Sequence, residues 1–87
     1  MGAYIVDCDL PGATAEEVRE LERRTRAVCE TPGPQGGVRH VWTLWVPSDW
    51  QLMFLFRANG PEAIRAICGA AGLPVLRLVE AVELSGV

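Results

Sequence analysis

Eighty-seven residues with 8 basic and 11 acidic side chains, a net charge of -3, read as one domain, 1–87, and argue against nucleic acid, which needs a concentrated basic patch. A chain this short buries only about 60–65% of its unfolded surface and gains from a partner, and its 49% apolar content with three Trp supplies something to bury. No apolar run is long enough to cross a membrane, no signal-peptide pattern is present, and Cys8, Cys29 and Cys68 without a CxxC fit reduced thiols in the cytoplasm better than a disulfide framework or zinc knuckle.

Ala3 to Asp9 reads as the first strand, with Tyr4, Val6 and Cys8 on one side and Ile5, Asp7 and Asp9 on the other. Leu10-Pro11-Gly12 breaks it. Thr14 then caps a helix, Glu17 completes a capping box, and the helix runs to about Glu30 with Val18, Leu21, Thr25 and Val28 on one stripe and Cys29 beside it. Arg19, Arg23, Arg24 and Arg26 stand among Glu16, Glu17, Glu20 and Glu22, the pattern of a salt-bridged solvent face. Thr31 to Gly37, rich in Pro and Gly, forms a flexible loop.

The stretch from Gly36 to Ala58 holds all three Trp, both Phe and the only His. Two β-favouring runs flank Pro47-Ser48-Asp49, the signature of a hairpin. Strict alternation puts Val38, His40, Trp42, Leu44 and Val46 on one face of the first run, against Arg39, Val41, Thr43 and Trp45. In the second run Trp50, Leu52, Phe54, Phe56 and Ala58 oppose Gln51, Met53, Leu55 and Arg57. Neither run has a cleanly polar side, so both faces of the hairpin are expected to be covered, one by helices and the other by a partner chain or ligand.

Asn59 is the expected cap of a second helix, with Pro61 in its first turn; Ala63, Ile64, Ile67, Cys68 and Ala71 mark its buried face, and Gly72 and Pro74 end it. Val75 to Leu84 is the last strand. The order βαββαβ is the ferredoxin-like α+β arrangement, a four-stranded antiparallel sheet with two helices on one face. Its free face would carry apolar side chains, which two copies can bury as a homodimer, a dimeric α+β barrel.

The opening Tyr-Ile-Val-Asp-Cys-Asp-Leu-Pro-Gly, the Thr14-led helix with Glu16 and Glu17, and the ending Ala71-Gly72-Leu73-Pro74 with Val79-Glu80-Ala81-Val82 resemble a family of small ferredoxin-like proteins, one member type of which is described as nickel-binding. The resemblance spans most of the chain. It implies the same fold and, as one alternative, a nickel site. Members of that family often carry a Cys in the third strand and a His in the second helix, where this chain has Phe54 and Ile67, which cannot ligate a metal.

The candidate chemistry follows from these placements. His40 is either a structural imidazole or a pocket acid/base; as a metal ligand it has only Cys8 and nearby carboxylates to assist it. Asp7 and Glu80 lie mid-strand, and each is either a general base or a charge facing water or paired with Arg39, Arg57 or Arg77. Trp42, Trp45, Trp50, Phe54, Phe56 and Ile67 are the ligand-lining candidates, because so many large apolar rings in a small domain point to a pocket or an interface. No catalytic triad or phosphate loop is readable, and the chain has no Lys. The function expected is therefore a small-molecule pocket binding an apolar or aromatic metabolite without a cofactor. It extends to a cofactor-free cyclase, isomerase or oxygenase of specialised metabolism with His40, Asp7, Glu80 and Tyr4 moving protons. The pocket is expected between sheet and helices, bordered by Trp42, Phe54, Phe56 and His40 and closed by the loop around Gly36.

Overall fold

The computed structural model describes residues 1–31 and 37–84; the loop around Gly36 lies outside the described residues. The order is β1 (Gly2–Asp9), α1 (Ala15–Glu30), β2 (Arg39–Val46), a 3-10 turn (Pro47–Asp49), β3 (Gln51–Ala58), α2 (Pro61–Ala71) and β4 (Val75–Ala81). The strands form one antiparallel sheet in the order β2-β3-β1-β4, which is the ferredoxin-like arrangement. Among the described residues no helix is long and apolar enough to cross a membrane.

Local chemistry explains the element ends. Thr14 Oγ1 accepts from the Glu17 backbone N–H while Glu17 Oε1 accepts from that of Thr14, so the capping box closes reciprocally. The second helix starts one residue later than the expected cap: Gly60 is the N-cap and Asn59 precedes it, because Pro61 occupies the first helical position. Gly72, at φ 70°, ends the helix in the left-handed region, where a glycine pays no Cβ penalty. The end of α2 is also tied to α1, since Arg24 Nε donates to the Ala71 carbonyl at 2.9 Å.

The hairpin departs from strict alternation. The β2–β3 register runs His40↔Phe56 and then Trp42↔Leu55, so Val41 is an extra residue, a β-bulge. From that point every side chain of β2 is on the face opposite to the one expected. His40, Thr43 and Trp45 line the helix side, and Trp42, Leu44 and Val46 the other. The side chains on the helix side form three rows across the sheet: His40, Phe56, Tyr4 and Glu80; Thr43, Phe54, Val6 and Leu78; Trp45, Leu52, Cys8 and Val75. Trp50 is not a strand residue. It closes the 3-10 turn in the left-handed region at φ 52°, and its ring tilts against that of Trp45 at 6.3 Å. The last strand stops at Ala81 rather than Leu84.

The core lies between this face and the helices. Phe54 and Phe56 are fully buried and stacked, with centroids 5.5 Å apart and planes 7° from parallel. Ile64, Ala63, Cys68 and Ala71 of α2 and Val18 and Thr25 of α1 are buried above the sheet. Thr25 keeps its hydroxyl satisfied by donating to the Leu21 carbonyl at 2.8 Å. Replacing a fully enclosed phenyl removes transfer free energy and leaves a cavity. Phe54→Ala should therefore cost about 3–5 kcal/mol, read from urea denaturation, and a cost below about 1 kcal/mol would contradict this packing.

Candidate functional site

The bulge divides the expected pocket residues between two faces. Trp42 lies half-buried on the helix-free side, beside Leu55, and cannot border a cavity with Phe54 and Phe56. Those two rings are interlocked under the small residues of α2 and reach no solvent. They form a floor rather than an open lining. Trp45 packs against the core from the edge strand, Trp50 stands 41% exposed at the hairpin turn, and Ile67 is half-buried on α2.

His40 is the ionisable group that the fold seats against this floor. Its ring meets Phe54 and Phe56 edge-on, at centroid distances of 6.1 and 6.0 Å. The bulge brings Thr43 within reach, so that Nε2 and the Thr43 Oγ1 lie 2.7 Å apart. Burial lowers the His40 pKa from its ordinary value; Glu22 draws it upward, while Arg26 adds to the depression and a hydrogen bond with the Trp42 backbone opposes it. Burial thus favours the uncharged imidazole, whose Nε2 is engaged by the Thr43 hydroxyl. A cleft of about 280 Å³ opens beside it, lined by Arg26, Cys29, Glu30, Val38, Arg39 and His40. No sequence pattern singled out Arg26, Cys29 and Val38 for this site; they meet His40 because α1 crosses the start of β2.

The other three proton-transfer candidates do not converge on His40. Tyr4 and Glu80 share its row across the sheet, but Phe56 stands between His40 and Tyr4, and Glu80 is exposed on the far edge strand. Tyr4 is itself core, 8% exposed. Asp7 is on the opposite face, only 2% exposed, where Arg77 donates to Oδ2 through Nε at 3.1 Å and Nη2 at 2.9 Å and Gln51 Nε2 donates to Oδ1 at 3.3 Å. It is the ion-paired carboxylate of the alternatives the sequence left open.

That helix-free face is a second candidate surface. Its central row is Trp42, Leu55, Ile5 and Val79, and the next is Leu44, Met53, Asp7 and Arg77. Leu44 is 51% exposed, and Arg57 reaches across the small Ala3 to pair with Glu83. A metal fits these residues poorly. The Cys8 row lies four residues along β1 from the His40 row, roughly 13 Å at strand rise, so the two cannot share an ion within one chain. Burial, with Cys68 and Asp7 adding, pushes the Cys8 thiol up to about 12, far from the thiolate a metal needs. No three His, Cys, Asp or Glu side chains among the described residues are grouped to hold an ion.

Fold and site together define a small ferredoxin-like α+β domain with a helix-side cleft at its edge strand. No family model matches the chain, and no curated protein matches it significantly. Among solved structures, the crystal structure of SCO4226 from Streptomyces coelicolor A3(2) is similar, with a TM-score of 0.78 and 18% identity over 97% of this chain and 99% of that one. At that identity the likeness shows the fold.

A histidine whose pKa is depressed in the folded state binds its proton more readily when unfolded. Acidification from pH 6.5 downward therefore withdraws stability until the folded pKa is passed. The melting temperature of the wild type should fall more steeply than that of His40→Asn over the pH range just below 6.5. Parallel curves would show that His40 is not held neutral.

Proposed function

We propose that the chain is a small-molecule-binding protein that takes an apolar or aromatic metabolite beside His40, without a cofactor. The observation that carries this reading is a half-buried imidazole, edge-on to two buried phenyl rings, at the wall of a cleft. Such sites combine apolar lining with a few placed polar groups. Here Val38 and Cys29 form the apolar part of a lining that is otherwise charged or polar, and a ligand group would take the place of the Thr43 hydroxyl as the partner of His40 Nε2. Arg26 and Glu30 at the rim favour a ligand with a polar end facing water. If the bound molecule reacts, in a cyclisation, isomerisation or oxygenation, His40 is the proton carrier, because Tyr4 lies in the core, Asp7 on the opposite face and Glu80 on the far edge strand. A nickel-binding role, as the family resemblance implies, would need donors from a second chain.

The working unit in this reading is a homodimer joined through the helix-free face. Leu44 is exposed and Trp42 and Met53 are half-exposed in the single chain, and a domain this small gains from covering such apolar surface. Sedimentation at low micromolar concentration should give twice the chain mass, and Leu44→Glu should return it to one. A monomeric wild type would end the dimer reading.

The ligand reading is tested by titrating the protein with 1-naphthol while following the His40 imidazole and the Val38 amide by NMR. Both resonances should move together and saturate, and His40→Ala should weaken binding by roughly tenfold, the value of one well-placed hydrogen bond in a dry site. Unchanged His40 resonances at millimolar naphthol would contradict a pocket for aromatic molecules at this edge.

A further inference from the structure

A second cleft, of about 330 Å³, lies on the opposite side of the helix layer, between α2 and the start of β4. Cys68, Leu73, Val75 and Leu78 line it, Gly69 forms part of its wall and Arg65 stands at its mouth. Nothing in the His40 reading uses it.

Two features define the walls of this space. The first is Gly69. It sits inside α2, where Ala is a markedly better helix former, and a Cβ added there would meet nothing within 4 Å. No close approach of backbone or side chain requires the glycine, and its backbone does not need positive φ. Gly69 is exposed, and it leaves this part of the cleft wall without a side chain.

The second is rigidity. The end of α2 is fixed by the bond from Arg24 Nε to the Ala71 carbonyl at 2.9 Å and by the left-handed Gly72, and the chain then turns with Leu73 N–H donating to the Cys68 carbonyl at 3.0 Å. Val75 N–H donates to the Leu73 carbonyl at 2.9 Å. The β1–β4 register shifts at Asp7/Cys8, which pairs Cys8 with Val75 and leaves Leu76 outside the row. The walls are therefore held by backbone bonds on both sides, and a ligand would enter a preformed apolar space.

The chemistry of the walls selects the occupant. The interior offers only aliphatic carbons and the Cys68 thiol, which burial pushes up to about 11 and so keeps neutral. Arg65 at the mouth is 60% exposed, and its one partner, Glu62 at 3.2 Å, is 86% exposed. An ion pair that wet is weak and gives way to a better-placed carboxylate. We infer that the α2–β4 cleft binds a small aliphatic carboxylic acid, with its chain on Leu73, Val75 and Leu78 and its carboxylate on Arg65.

The test uses octanoate and octanol as probes on the intact chain, followed by amide NMR. Octanoate should shift the Gly69, Leu73 and Val75 amides and saturate at millimolar concentration or below. Octanol should shift the same amides about fivefold more weakly, and Arg65→Gln should abolish the difference between the two. Gly69→Leu fills the cleft and should eliminate both responses, while Gly69→Ala should keep the fold and raise the melting temperature. Octanoate shifts confined to other residues, or binding unaffected by Gly69→Leu, would overturn the proposal. So would a silent cleft in the wild type together with dissociation of a dimer by Gly69→Leu, which would assign this space to a second copy. The His40 site is scored separately by naphthol, so either reading can fail without the other.

Discussion

One extra residue in the edge strand, Val41, determines the rest of this structure. A bulge there returns Thr43 and Trp45 to the helix side and sends Trp42 and Leu44 to the helix-free side. Without it, Trp42 would stand on the helix side, where α1 crosses β2. With it, the space above Phe54 is met by the short Thr43, whose hydroxyl is positioned for His40 Nε2. The same insertion therefore makes a dense core possible and seats the only imidazole.

The helix layer follows from that packing. Two stacked phenyls with no solvent contact require a thin cover, and α2 supplies one through small residues on its buried face. Two clefts flank this packing. One is beside His40 under the end of α1, and the other is beside Leu78 under Gly69. The opposite face is organised differently. Asp7 is buried there with Arg77 and Gln51 on its oxygens, and this arginine-bonded carboxylate amid Ile5, Met53 and Leu55 gives the face a fixed polar point besides the Arg57–Glu83 pair.

Much of this was legible in the chain. The capping box at Thr14 and Glu17, the stop at Gly72 and the βαββαβ order each rest on local chemistry that tertiary packing does not override. The sites were less legible. Alternation assigns faces only when one side of a strand is polar, and Val41-Trp42-Thr43-Leu44-Trp45 is apolar on both, so nothing in its pattern marks a bulge. The misassigned faces moved Trp42 into a pocket it does not border. Trp50 was misread for a related reason: an aromatic at the edge of an apolar run resembles a strand residue, and only the turn geometry shows it left-handed. Gly69, a glycine inside a helical stretch, is a local signal that the reading of the sequence does not take up.

The placement of Trp42 and Trp45 on opposite sides of the sheet is the claim on which the sites depend, and nuclear Overhauser contacts of the two indole rings test it most directly. The account predicts contacts from Trp45 to the methyls of Leu52 and Val18, and from Trp42 to those of Leu55, with none from Trp42 to the rings of Phe54 or Phe56. Contacts between Trp42 and either phenyl ring, with Trp45 facing Met53 or Leu55 instead, would place β2 in unbroken alternation and contradict it.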